Sequence, residues 1–290
     1  MQKYIFLLPL YNDWESLTLL LTKINEEIKS KNKIADILVI NDCSTVLTPT
    51  FFSLSNINKI NILNLKSNLG SQKAISVGLK YLKKKDDEMI ITILDSDGED
   101  DVSKIPHMLS EAEKNPKKVI VSTRTKRQEN FIFKMLYFSH KILTFIFTLK
   151  WISFGNFSSF HSNQLHKILS NNSSWLAFSS AVVKNCDIKK IQAERKKRLI
   201  GSSKLSFLNL VFHSLRVSSV FFLRSLLFSS LYIIILSSLY IKGSNWSLPF
   251  ILFIIFFNIF LFLTISINNQ KVFMHSLDYI KKKLNYHFKS

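Results

Sequence analysis

The chain has 290 residues, 47% of them hydrophobic with 25 phenylalanines, and a formal charge of +19 from 39 basic and 20 acidic side chains. That length holds one large domain or two smaller ones, and the apolar content exceeds what one soluble core needs, so part of the chain is expected to meet lipid. The charge asks for an anionic partner, and Cys43 and Cys186 have neither metal-ligand spacing nor a CxxC pair, which leaves reduced thiols in a cytosol-facing domain.

The first apolar run, residues 4–8, meets Pro9 too early for a signal-peptide core and no small-residue cleavage site follows, so it reads as a first strand. Four more short apolar runs follow, at 37–40, 60–65, 89–94 and 119–122, separated by amphipathic stretches at about 14–30, 71–84 and 102–115. That alternation predicts an α/β fold with a mostly parallel sheet covered by helices. Ligands of such sheets gather beyond the carboxyl ends of the strands. The unusual polar residues follow the predicted strands each time: Pro9 to Asn12, Asn41 to Thr45, Asn68 to Gly70, Asp95 to Asp97, and Arg124 with Arg127.

The sharpest of these junctions is Met89 to Leu94 running into Asp95-Ser96-Asp97-Gly98-Glu99-Asp100-Asp101. A buried strand that ends in two carboxylates two residues apart can turn both to one point, and such a pair suits a hard divalent cation carrying a diphosphate. The same residues also suit an acidic turn, with Asp100 or Asp101 as cap of the next helix. Asn68 or Ser71 is the expected cap of the helix at 71–84.

Residues 131–154 are intensely aromatic yet keep Lys134, Lys141 and Lys150. Lysines of that frequency argue against a spanning helix and for an amphipathic helix in the plane of a membrane surface, with a core helix under the sheet as the other reading. Further on, Arg195 to Lys204 places basic side chains around Gly201, Ser202 and Ser203, which can cradle phosphate or form a solvated loop near anionic lipid. Residues 225–241 and 247–267 approach bilayer-spanning length and read as a hairpin. Basic residues before it and after it (Lys271, Lys281, Lys282, Lys283) place both flanks in the cytoplasm and lay the tail along the inner leaflet. Asn258 is expected to pair the two spans by a hydrogen bond.

Five motifs in order resemble the family-2 glycosyltransferases of GT-A fold, especially their dolichyl- and bactoprenyl-phosphate sugar transferase branch. LPLYND is similar to that family's P-x-Y-N-E opening, VINDCST to its V-x-D-D-x-S-T, NLGSQKAISVGL to its N-x-G-x-x-x-A-x-x-x-G block and LDSDGEDD to its D-x-D segment, with STRTKR in register. A sixth, RLIGSSK, is similar to R-x-x-G-x-S-K. The resemblance implies a Rossmann-like GT-A domain over 1–216 with the interfacial helix near 131–154, a transmembrane hairpin over 217–270 and a basic cytoplasmic tail over 271–290.

By resemblance, Pro9, Tyr11, Asn12, Asp42, Asp95 and Ser203 bind the nucleotide-sugar, Asp42 by accepting a ring N–H of uracil or guanine. Asp95 and Asp97 hold Mg2+ or Mn2+, and Asp97, Arg124, Arg198 and Lys204 form the catalytic set. Departures at Asp13, Asn41, Cys43, Val46 and Glu99 leave UDP and GDP both open. The implied activity is inverting transfer of a sugar from a nucleoside diphosphate to a polyprenyl phosphate, by a multi-pass plasma-membrane enzyme touching membrane lipid, with a homo-oligomer left open. An acceptor phosphate is already anionic and needs no general base. Transfer to a saccharide hydroxyl would need one, for which Glu99, Asp100 or Asp101 stands nearby; a non-catalytic scaffold binding nucleotide-sugar or anionic lipid is the remaining reading. Nucleic acid is not expected as a partner, because the positive charge concentrates beside the spans.

Overall fold

The computed structural model describes residues 2–124, 131–201 and 207–288. The chain runs β1 (Lys3–Leu10), α1 (Trp14–Lys29), β2 (Ala35–Asn41), β3 (Ile57–Leu65), α2 (Ser71–Lys83), β4 (Met89–Ile93), α3 (Ile105–Lys114) and β5 (Lys118–Arg124). It continues through α4 (Phe131–Thr148), β6 (Phe154–His161), α5 (Leu165–Ile168), α6 (Ser173–Leu176), α7 (Phe178–Asn185) and β7 (Asp187–Ala193). Then come α8 (Phe207–Ser219), α9 (Phe222–Ile241), α10 (Ser247–Ile267), α11 (Gln270–Met274) and β8 (Ile280–His287). Two compact units result, both discontinuous in sequence: Met1–Gln128, Ser153–Lys204 and Lys271–Ser290 form one, and Glu129–Ile152 with Leu205–Gln270 the other.

The first unit is built on one sheet of order β7-β5-β6-β4-β1-β2-β3-β8. β4, β1, β2 and β3 run parallel, as do β5 and β7, while β6 and β8 are antiparallel to their neighbours. Successive side chains of a strand face opposite ways. Thus Tyr4, Phe6, Leu8 and Leu10 of β1 join the layer holding Trp14, Leu17 and Leu21 of α1 and Met108 and Leu109 of α3. Ile5 and Leu7 join the layer holding Ala74, Val77 and Leu82 of α2 and Phe178 of α7. Burial on both faces is why β1, β2 and β4 read as unbroken apolar runs.

The expected mostly parallel sheet is present, with three strands the apolar runs did not announce. β6 carries buried Ser158 and Ser159, the latter bonded to Thr92 at 2.7 Å across the β4 pair. β7 and β8 lie at the sheet's edges and are lysine-rich, a composition that blunts edge-to-edge aggregation. The basic tail contains β8, which belongs to this sheet: Ile62 pairs Leu284 and Ile60 pairs Tyr286, and Leu284 and Tyr286 pack on the first apolar layer.

The second unit comprises α4, α8, α9 and α10. Its core gathers Phe147, Ile254, Phe257 and Leu261 with Leu215, Phe222, Tyr232 and Leu236. Phe222–Ile241, of 20 residues, and Ser247–Met274, of 28, are long and apolar enough to cross a membrane. Between them Asn258 Nδ2 donates to Ser229 Oγ at 2.7 Å, the interhelical polar bond anticipated for that residue. α4 is apolar on the outside as well as the inside: Met135, Phe138, Ile142, Phe145 and Ile146 are exposed, whereas Thr144, Phe147 and Thr148 are buried. A contiguous exposed apolar stripe marks a lipid or partner surface.

Candidate active site

The polar strand ends of β1, β2 and β4 converge because these three strands are neighbours and parallel. Pro9 lies in β1 beyond Leu7, the last residue registered with β4, so its missing N–H falls outside that ladder. Tyr11 follows, 40% exposed. Asn12, at φ 55°, ties the ends of β1 and β2 together: its Oδ1 accepts the backbone N–H of Thr45 at 2.8 Å and of Val46 at 3.2 Å, and its own N–H donates to Ser44 Oγ at 2.9 Å.

Asp42 is buried at the end of β2, and both of its oxygens accept backbone N–H groups, from Leu69 and from Gly70, each at 2.7 Å. The carboxylate therefore restrains the N-terminus of α2 together with Asn68, one of the two residues expected there, whose Oδ1 also accepts the Gly70 N–H at 3.1 Å; Ser71 is the first helical residue and Gly70, at φ 86°, precedes it. Burial raises the Asp42 pKa against the lowering effect of these two bonds. Each oxygen keeps a second lone pair.

Asp95 and Asp97 follow β4. Asp95 Oδ1 accepts from Asn156 Nδ2 at 2.9 Å, and Asp97 Oδ1 accepts the N–H of Glu99 at 3.0 Å. Burial, then the charge of Asp95 and of Glu99, pushes Asp97 up to about 7. Gly98 makes the turn between them and Glu99 at φ +75°, a conformation that side-chain-bearing residues avoid.

A strap from Arg195 to Ile200 lies on this acidic turn. Lys196 N–H donates to Glu99 O at 2.8 Å and Leu199 N–H to Asp97 O at 3.1 Å. Arg195 is ion-paired with Glu99. Arg198 donates to Asp13 Oδ2 at 2.5 Å and places Nη1 3.6 Å from Asp97 Oδ2, too long for a hydrogen bond, so burial still prevails at Asp97. Arg198 is itself held above the usual arginine pKa: burial opposes this, but the bond to Asp13 and the charges of Asp13 and Asp97 outweigh it.

The remaining acids are committed. Asp100 Oδ2 accepts the backbone N–H of Asp95 at 3.1 Å, and Asp101 Oδ1 accepts the Ser103 hydroxyl at 2.8 Å. Asp101 precedes a short turn, Val102–Lys104, ahead of α3, so the cap expected there becomes a loop contact.

The structure thus brings Pro9, Tyr11, Asn12, Asp42, Asp95, Asp97 and Arg198 to one end of the sheet. Arg124 ends β5, separated from β4 by β6, with its side chain outside the described residues; Ser203 and Lys204 lie outside them altogether. Asp13, Asn156 and Gln72 are contributors that sequence patterning did not single out. Asp13 ends the LPLYND motif and stands out there only as a departure, Gln72 fills an unspecified place in NLGSQKAISVGL, and Asn156 gave no signal.

A family model described as glycosyl transferase family 2 matches residues 6–177. Among solved structures, glucosyl-3-phosphoglycerate synthase from Mycobacterium tuberculosis with Mn2+, UDP and phosphoglyceric acid is 10% identical at a TM-score of 0.51, over 77% of this chain and 78% of that one. TarS 1-349 from S. aureus with UDP-GlcNAc is 18% identical at a TM-score of 0.46, over 77% of this chain and 67% of that one. At 10% identity the likeness to the synthase bears on the fold alone. No curated protein sequence matches the chain.

Proposed function

The chain belongs to glycosyl transferase family 2, and on that premise we propose that it moves a sugar, with inversion, from UDP or GDP to a polyprenyl phosphate at the cytoplasmic face of the plasma membrane. The observation that supports this reading is that each acid beside Asp97 already has a partner: Glu99 is paired with Arg195, Asp100 holds the Asp95 backbone and Asp101 holds Ser103. A hydroxyl acceptor needs a carboxylate at liberty to take its proton. A phosphate monoester is already a nucleophilic anion, so the site needs charge neutralisation and alignment instead.

The donor set fits a divalent cation. Two carboxylates at one strand end, one of them pushed up to about 7 by burial and by its neighbour's charge, are hard oxygen donors, and Arg198 faces Asp97 from 3.6 Å, beyond hydrogen-bond reach. The described residues hold no cluster of three or more His, Cys, Asp or Glu that would complete a protein cage, so diphosphate oxygens and water would supply the other ligands, as suits Mg2+ or Mn2+. Such an ion, on Asp95 and Asp97, would offset the charge developing on the leaving diphosphate. Tyr11 and Asp42 flank the space for the base, and Arg198 brings a fixed positive charge to the diphosphate side. Arg124, Ser203 and Lys204 keep their expected phosphate-binding roles in this reading.

Membrane attachment draws on the two long apolar helices and on the outward apolar face of α4. β8 adds a constraint. The chain leaves the first unit before α8 and re-enters the same sheet at β8, so any crossings between those points are even in number and both flanks share one side. The basic flanks favour the cytoplasm for that side. The test is to offer the purified protein labelled UDP- and GDP-sugars with undecaprenyl phosphate and, separately, with undecaprenol. Formation of an acid-labile glycolipid with the phosphate alone is the expected result; transfer to a saccharide hydroxyl instead would replace this reading.

A further inference from the structure

Asp95 does not stand alone at the end of β4. β6 runs antiparallel to β4 with Ile90 opposite His161, Thr92 opposite Ser159 and Ile93 opposite Ser158. Continued two places past Ile93, that register sets Asn156 across from Asp95. Asn156 Nδ2 donates to Asp95 Oδ1 at 2.9 Å, Gln72 Nε2 donates to Asn156 Oδ1 at 3.0 Å, and the backbone N–H of Phe178 donates to Gln72 Oε1 at 2.7 Å. Asn156 and Gln72 are 8% and 7% exposed, and Phe178 is fully buried.

The direction of this chain of bonds is fixed at both ends. A backbone N–H can only donate, so the atom of Gln72 facing Phe178 is its oxygen, and its amide nitrogen faces Asn156. The same logic makes the Asn156 oxygen the acceptor and turns its nitrogen to Asp95, which as a carboxylate can only accept. Neither amide can flip without setting two donors or two acceptors against each other in a buried place. We propose that Asn156 and Gln72 are positioning residues that lock the rotation of the Asp95 carboxylate, reserving its other oxygen for the cation that carries the donor diphosphate. Outer partners of metal-binding carboxylates act in this way, and their loss weakens metal binding by about 10- to 100-fold.

The proposal rests on the donor-site reading above, and its test separates the two. The full-length protein in detergent is titrated with Mn2+ in the presence of excess UDP or GDP, and bound Mn2+ is followed by electron paramagnetic resonance, with thermal unfolding measured alongside. Asn156→Ala removes the donor to Asp95. Gln72→Glu keeps an acceptor for Phe178 but offers nothing to the Asn156 oxygen, so it reverses the relay from a distance. Gln72→Met, uncharged and of similar size, reads the same link should the glutamate variant not fold.

Each single variant is expected to weaken Mn2+ binding by roughly 10- to 100-fold, and the double variant to be no weaker than Asn156→Ala, because the second change acts only through the first. Wild-type affinity in the folded single variants, or losses that multiply in the double variant, would overturn the relay while leaving the donor site standing. Absence of Mn2+ binding in the wild type with either nucleotide would overturn the donor-site reading instead.

Discussion

Gly98→Ala tests whether the strap is seated on the acidic turn by shape as well as by charge. A Cβ built at Gly98 would lie 2.4 Å from both Cγ and Cδ1 of Leu199 and 3.4 Å from its Cβ, on a backbone at φ +75°. The first two contacts cannot be kept, so the Leu199 side chain must move; the expectation under test is that it lifts the strap with it and breaks the bonds from Leu199 N to Asp97 O and from Lys196 N to Glu99 O. Two such bonds contribute about 2 kcal/mol net, which corresponds to a roughly thirtyfold rise in the undocked population. Arg195, Lys196, Lys197 and Arg198 make the strap a trypsin substrate when it is free. Where opening and closing are fast, the cleavage rate tracks that population. The expected result is about thirtyfold faster cleavage at these residues in Gly98→Ala. Leu199→Ala added to it removes the two clashing atoms and leaves only the 3.4 Å contact, so the double variant should be cleaved more slowly than Gly98→Ala. Cleavage of Gly98→Ala at the wild-type rate, or effects of the two changes that simply multiply, would refute the argument.

Asp97→Asn should abolish transfer while preserving the fold, and near-normal turnover in saturating Mn2+ or Mg2+ would remove Asp97 from the metal site. Because Asp97 titrates near 7 in the fold against 3.8 ordinarily, the unfolded chain gives up this proton first; without cation, the stability from the neutral carboxyl is full below about 4 and is lost as pH rises to about 7. Thermal unfolding of wild type and Asp97→Asn across that window checks the sign, since only the wild type should lose stability by this route. Arg198→Ala removes a charge-assisted contact of about 1.5–3 kcal/mol and should lower kcat/KM by roughly one to two orders of magnitude; an unchanged value would place Arg198 outside the reaction. In a background lacking Cys43 and Cys186, an impermeant thiol reagent added outside intact cells should label cysteine at exposed Asn245 but not at exposed Asn285; the opposite pattern would invert the topology.

What was legible in the sequence is what interrupts a pattern. Asp95 and Asp97 stood out because they end a run of five buried residues, and Asp42 because it ends seven; parallel strands covered on both faces leave such edges sharp. The strand that orients Asp95 has no such edge. β6 reads Phe-Gly-Asn-Phe-Ser-Ser-Phe-His, and its serines are tolerated inside because a neighbouring strand supplies hydroxyl partners such as Thr92, a pairing that exists only once β6 has been inserted antiparallel between β4 and β5. The partners of the visible acids are likewise remote in sequence: Asn156 lies 61 residues from Asp95, and Arg198 lies 185 from Asp13. β8 is the extreme case. Its lysines suit a lipid surface and an exposed sheet edge equally well, and only alternation with Leu284 and Tyr286 distinguishes the second. Its place beside β3 also gives the apolar hairpin a physical consequence: the β3 edge of the sheet that carries Asp42 is covered by a strand that lies beyond both long helices in sequence, so the sheet is completed only by chain that follows the hairpin.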